Sequence, residues 1–116
     1  MNNNWITFIV IISVILLAIS LLAIKHYYFE EPNIEDVKCI SDKITYFYQT
    51  GCHACIKQEK IFGESYSMLN KINCIEQGND IYCASVGIVG TPTWILNGTI
   101  YEGVHSIKEL KEITNC

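Results

Sequence analysis

Ile44-Thr45-Tyr46-Phe47-Tyr48-Gln49-Thr50-Gly51-Cys52-His53-Ala54-Cys55 is the stretch on which the reading of this chain turns. Its first five residues are β-branched or aromatic and predict a strand. Gln49-Thr50-Gly51 predicts a turn, and Cys52 onward predicts a helix to about Phe62, where Gly63 breaks it. Ile56, Lys60 and Gly63 fall on one side of that helix, with Ile56 expected to face the core. Cys52 then lies in a first helical turn, where unpaired N–H groups and the helix dipole favour a thiolate. Such placement lowers a thiol pKa below the free value of about 8.5. Two intervening residues bring Cys55 back on the same turn, within reach of a disulfide. The chemistry this predicts is thiol–disulfide exchange, with Cys52 attacking and Cys55 resolving the mixed disulfide. A protonated His53 would further stabilise the Cys52 thiolate; an exposed His53 with no role is the plain alternative.

Working outward, a looser stretch through Tyr66, Met68 and Leu69 leads to a short strand, Lys71–Ile75. Asn79 or Asp80 can cap a short helix through Ser85. After Gly87 to Gly90 comes Thr91-Pro92 and the strand Thr93-Trp94-Ile95-Leu96. Asn97-Gly98 is a strong hairpin signal, and Thr99-Ile100-Tyr101 is the returning strand. Asn97-Gly98-Thr99 is also a glycosylation sequon, of consequence only in a glycosylating compartment. Ser106 and Glu109 form a capping box for a last helix through Thr114. The predicted order is β-α-β-α-β-β-α, an α/β fold.

A lone Cys-x-x-Cys is a moderate signal, and its context strengthens it. Thr91-Pro92-Thr93-Trp94 begins 36 positions after Cys55 and opens a strand just before the hairpin. This resembles the cis-proline loop of the thioredoxin superfamily, in which the loop lies beside the active disulfide and offers backbone groups to a bound peptide. The resemblance implies a thioredoxin-like fold, a cis Pro92 and a substrate contact at the Thr91 backbone. An ordinary trans proline at a strand start is the alternative. The segments Cys52–Cys55, Gln58–Gly63, Gly90–Trp94 and Tyr101–Val104 are further similar to the thioredoxin-like domain associated with bacterial and archaeal homologues of vitamin K epoxide reductase. That likeness, spanning roughly Ile44 to Ile113, implies electron flow from substrate thiols through Cys52 and Cys55 to a quinone-linked membrane enzyme. It also implies a second cysteine pair, matched in position by Cys74 and Cys83. Departures are that Gly51 stands where a Trp usually precedes the first cysteine, His53 stands where Pro or Gly is common, and Ile44–Tyr48 carries no Asp.

Read without the resemblance, Cys74 and Cys83 form a structural disulfide or a relay pair. Cys39 and Cys116 form a staple across the domain, or remain free thiols. A zinc site built from Cys52, Cys55, Cys74 and Cys83 competes, although structural zinc favours two closely spaced pairs. The expectation is no metal and no cofactor.

Composition sets the surroundings. All charged side chains lie at Lys25 or later, and Trp5–Ile24 holds no charge, Pro or Gly. At about 1.5 Å per residue this run matches a hydrocarbon core of about 30 Å. Trp5, Tyr27 and Tyr28 stand where ring bodies reach the headgroups. The run exceeds a signal-peptide h-region, and no small-x-small cleavage site follows it. The expected organisation is an anchor over 1–24, a tether over 25–43 rich in Glu30, Glu31, Pro32, Asn33, Glu35 and Asp36, and a thioredoxin-like domain over 44–116. The net charge of −4 with no Arg leaves no footprint for nucleic acid. Six cysteines in 116 residues suit an oxidising compartment, which argues for a single-pass protein with its redox domain on the extracytoplasmic side. The flanking charges are nearly silent on topology.

The expected function is therefore a membrane-anchored thiol–disulfide oxidoreductase acting on protein thiols and disulfides. An outward-facing reductase, as in cytochrome maturation, is the alternative within enzymes. A zinc-binding or non-catalytic interaction module is the alternative outside them.

Overall fold

The chain divides into two units, an apolar run, Met1–Glu30, and a mixed sequence, Glu31–Cys116. The computed structural model describes residues 3–28 and 32–116.

In the first unit, α1 (Asn3–Tyr28) runs past Ile24, with Lys25 and His26 in its last turn, where positive charge suits the carbonyl end of the dipole. Two of its hydroxyls are satisfied inside the helix: Thr7 Oγ1 donates to the Asn3 carbonyl at 3.0 Å and Ser13 Oγ to the Val10 carbonyl at 2.8 Å. Asn3–Tyr27 is long and apolar enough to cross a membrane, with a mean hydropathy of 3.0 in its most apolar window and none of that window buried.

The second unit begins with a correction. The span 25–43 is not a tether throughout, because α2 (Ile34–Lys43) occupies its second half. Asn33 caps α2 by accepting the Glu35 N–H at 3.0 Å, and Glu35 and Asp36 sit in its first turn, where the dipole favours acids. Val37 and Ile40, one turn apart, are fully buried. The polar residues that suggest a tether are thus a cap and the wet face of a short amphipathic helix. Glu30 and Glu31, part of the same expectation, lie outside the described residues.

Next come β1 (Thr45–Tyr48), α3 (His53–Phe62), a 3₁₀ segment (Gly63–Met68), β2 (Lys71–Asn73), α4 (Asn79–Ser85), β3 (Thr93–Leu96), β4 (Thr99–Glu102) and α5 (Ile107–Thr114). The sheet has the order β2-β1-β3-β4. β1 pairs parallel with β2 and antiparallel with β3, and β3 pairs antiparallel with β4. This is the thioredoxin-like α/β fold, with α2 added before its first strand. Asn97 and Gly98 make the β3–β4 turn with φ of 50° and 82°, the left-handed pair that a two-residue hairpin requires.

Successive strand residues point to opposite faces, and β1 is buried on both. Tyr46 joins Val37, Ile40, Ile44, Phe62, Leu69, Trp94 and Leu110 in the larger core, supplied by α2, α3 and α5. Phe47 joins Cys74 and Cys83 in the smaller one, beside Ile72, Val86, Ile88 and Ile95. Tyr46 and Trp94 are paired in register with ring centroids 4.4 Å apart. Neither the Tyr46 hydroxyl nor the Trp94 N–H makes a hydrogen bond of good geometry. Burial, reinforced by the nearby Tyr66, raises the Tyr46 phenol well above its ordinary range. The core beneath α3 therefore holds a neutral phenol from β1 rather than a carboxylate.

Further differences are local. α3 buries Cys55, Gln58 and Phe62, while Ile56, expected to face the core, is 43% exposed. The β2 strand ends at Asn73, two residues short of Ile75, and α4 starts from Gly78 without a side-chain cap from Asn79 or Asp80. The capping box forms in full: Ser106 Oγ accepts the Glu109 N–H at 3.2 Å, and Glu109 Oε2 accepts the Ser106 N–H at 2.7 Å.

Candidate redox site

Cys52 is the N-cap of α3, with φ −75° and ψ 115°. Cap geometry turns its side chain back over the helix end, and Sγ accepts the Cys55 N–H at 3.2 Å. One of the four orphan donors of a helix start thus points at the Cys52 sulfur, where it favours negative charge whenever Cys52 is released as a thiolate. Cys55 pairs with Cys52 in a disulfide whose Cα atoms are 5.2 Å apart. The two sulfurs are unequal in access: Cys52 is half-buried, whereas Cys55 is 4% exposed. His53 is the first residue of α3 and is exposed beside them. Gly51 precedes Cys52 with a φ of 85°, which explains why a bulky side chain does not stand there.

The opposite wall is the segment before β3. The Thr91-Pro92 peptide is cis, and the Thr91 carbonyl oxygen lies 3.4 Å from Cys52 Sγ. While the disulfide is closed this is a contact; in the dithiol, the Cys52 thiol can donate to that oxygen. Pro92 is buried, and its carbonyl accepts the Gly103 N–H at 2.8 Å. Thr93 Oγ1 donates to the Gly90 carbonyl at 2.7 Å, closing the loop on itself.

Two clefts share Ala54, one of the two residues between the cysteines. One, of about 350 Å³, is lined by Val89, Gly90, Thr91, Pro92 and Glu102 among others. The second, of about 560 Å³, is lined by His53, Ala54, Ile56, Lys57, Lys60 and Val104.

The other four cysteines also form two pairs. Cys74 and Cys83 are 5% and 4% exposed, with Cα atoms 5.8 Å apart, and join the end of β2 to α4. Cys39 and Cys116 are bonded across 77 residues with Cα atoms 6.0 Å apart, joining α2 to the end of α5. Among the described residues no three His, Cys, Asp or Glu side chains are grouped to hold a metal ion.

Two buried polar residues that sequence reasoning missed hold the site in place. Gln58, fully buried on α3, donates through Nε2 to the His105 carbonyl and accepts the His105 N–H at Oε1, both at 2.8 Å. This two-point bond ties α3 to the loop before α5. Its sequence signal was the spacing of Cys55, Gln58 and Phe62, which repeats at one turn and marks the inner face. Asn73, at the end of β2, donates to Thr50 Oγ1 at 2.8 Å and so anchors the turn before Cys52. No short-range pattern announced that bond.

Fold and site together define a domain of the thioredoxin-like class with a Cys-x-x-Cys disulfide at a helix start. No family model matches the chain. It is similar to Thiol-disulfide oxidoreductase LTO1 of Arabidopsis thaliana, 36% identical over 70 residues that make up 54% of this chain and 19% of that protein. The chain thus spans about a fifth of that relative's length. Among solved structures it is similar to a mutant thioredoxin from Halobacterium salinarum NRC-1, at 21% identity and a TM-score of 0.49, covering 73% of this chain and 84% of that one.

Proposed function

We propose that this chain is a membrane-anchored thiol–disulfide oxidoreductase that takes electrons from substrate thiols and passes them to a quinone-linked membrane partner related to vitamin K epoxide reductase. The observation that carries the redox reading is the placement of Cys52, half-exposed at the start of α3, with the Cys55 N–H aimed at its sulfur and Cys55 itself shielded. A substrate thiolate attacks Cys52 Sγ, the Cys52–Cys55 bond breaks, and Cys55 leaves as a thiolate that takes up a proton. A second substrate thiolate then attacks the substrate sulfur of the mixed disulfide and expels Cys52. Two electrons have moved from the substrate pair, now a disulfide, to the Cys52–Cys55 pair, now a dithiol. The partner's disulfide takes those electrons by the same exchange run from Cys52.

Toward the partner's disulfide Cys52 is the nucleophile and Cys55 resolves; His53 favours the Cys52 thiolate when protonated, and the Thr91 backbone with Pro92 receives the substrate chain. The anchor is α1, whose apolar length supports membrane attachment. Placement on the extracytoplasmic side is supported by the disulfide pairing of all six cysteines, which suits an oxidising compartment. Cys74–Cys83 is read as structural, because it is packed in the smaller core with Phe47.

The test is oxidation of a reduced dithiol peptide by the full-length protein in neutral detergent. Stoichiometric peptide disulfide should form with the wild type and none with Cys52→Ser. No oxidation by the wild type would refute the redox reading.

A further inference from the structure

We infer that this chain prefers partners carrying acidic side chains beside the reactive cysteine, seated in the cleft of His53, Ala54, Ile56, Lys57, Lys60 and Val104. The inference rests on the redox reading above and adds the chemistry of the partner.

His53, Ile56, Lys57 and Lys60 stand at i, i+3, i+4 and i+7, so they form one stripe along α3. Cys55, Gln58 and Phe62 occupy the buried side of the same helix. The stripe is exposed, and Ile56 sits in its middle with 43% of its surface open. Ile56 is not among the core residues, and it supplies apolar contact area beside two cations, Lys57 and Lys60. The cleft of about 560 Å³ begins at His53 and Ala54, the residues between the two cysteines. A chain bonded to Cys52 therefore passes its mouth.

The charge in the cleft is one-sided. Lys57 and Lys60 line it, no carboxylate does, and neither lysine has an ion-pair partner among the described residues. Across Ala54, the cleft of about 350 Å³ carries Glu102 and the widely exposed Val89. The Cys52–Cys55 motif thus contributes Ala54 both to a basic cleft and to one that carries a carboxylate, both with apolar surface, and a partner crossing both is held in one direction. The protein as a whole has a net charge of −4, so its long-range field does not attract acids. The lysines act within a screening length of about 8–10 Å, at docking rather than during approach.

The experiment uses the oxidised full-length protein in neutral detergent and two dithiol peptides identical except for two flanking Glu or two flanking Lys. Single-turnover reduction of Cys52–Cys55 is followed by acid quench and mass spectrometry. Each rate is divided by that peptide's rate with 2-hydroxyethyl disulfide, which removes differences in thiol acidity. The acidic peptide should react about tenfold faster at low ionic strength, the preference shrinking to about twofold in concentrated salt. Lys57→Glu/Lys60→Glu should reverse the order. Should that variant not fold, Lys57→Gln/Lys60→Gln should abolish the preference, and the salt dependence of the wild type needs no variant. Equal normalised rates, or a preference indifferent to salt, would overturn the inference while exchange itself left the redox reading standing. No exchange with either peptide would overturn both.

Discussion

Cys52 Sγ lies 3.4 Å from the carbonyl oxygen of Thr91, a residue 39 positions further along the chain. The contact joins a helix start to the segment leading into β3, and so makes one site from two local motifs. Sulfur there has an amide donor on one side, from Cys55, and a carbonyl acceptor on the other. The closed disulfide, the thiol and the thiolate each meet a complementary group.

Unequal access to the two sulfurs gives the first prediction. Cys55→Ser should strand proteins that present a disulfide covalently on Cys52, whereas Cys52→Ser should capture almost nothing, because Cys55 is 4% exposed. Non-reducing gels with mass spectrometry of the adducts check this. The adducts should include a membrane protein with its own cysteine pair. Equal trapping by the two variants would reverse or erase the assigned roles.

The second prediction concerns direction. Stabilising the Cys52 thiolate stabilises the dithiol state, which makes the disulfide more oxidising. The β1 strand adds no carboxylate beneath it. The potential of the couple should lie above the value of about −270 mV typical of thioredoxin. Equilibration with a glutathione redox buffer measures it, and a value at or below that level would favour an outward-facing reductase.

Gln58 gives the third. Gln58→Leu keeps the volume but leaves the part-buried N–H and carbonyl of His105 without their partners. The expected loss is about 2–4 kcal/mol of stability, read by denaturant unfolding of the oxidised protein. A loss under about 0.5 kcal/mol would mean that water or a neighbour replaces the amide.

Cys39–Cys116 gives the fourth. The bond closes a 77-residue separation and ties α2 to α5, alongside Lys111–Asp36 at 2.7 Å and Lys43 Nζ on the Thr114 carbonyl at 3.0 Å. Replacing both cysteines with Ser should cost about 2–5 kcal/mol, while exchange through Cys52 continues. Unchanged unfolding would show that packing and these polar contacts hold α2 without the bond.

A fifth prediction concerns acid. Hydrogen bonds from the Ser106 backbone and side chain lower the Glu109 carboxyl below its ordinary value of 4.5. A carboxyl with a depressed folded pKa contributes stability above its unfolded value and loses that contribution as pH falls through the folded one. The cap on α5 should therefore be intact at neutral pH and released only below pH 4.5. Comparing acid unfolding of the wild type and Glu109→Gln checks this: the gap between them should close as pH falls through that range.

Local physics made much of this protein legible in its sequence. Hydropathy marked the apolar span, β-branched and aromatic residues marked β1 and β3, Asn97-Gly98 marked the hairpin, and Ser106 with Glu109 marked the last cap. Cys52 and Cys55 at a strand–turn–helix junction pointed to the site because three-residue spacing and helix-end electrostatics act within one turn. What tertiary structure alone decided involves residues distant in sequence or a face that local pattern leaves ambiguous. Six cysteines admit fifteen complete pairings, and only the docking of α2 on α5 and of α4 beside β2 selects Cys39–Cys116 and Cys74–Cys83. Val37 and Ile40 became core because α5 and the sheet cover them; in sequence they are a sparse apolar pair among caps and charges. Ile56 turned outward because the inner face of α3 was taken by Cys55, Gln58 and Phe62, with Gln58 held by a backbone 47 positions away. A buried amide is stable only where its partners are, and a chain read in one dimension does not display them.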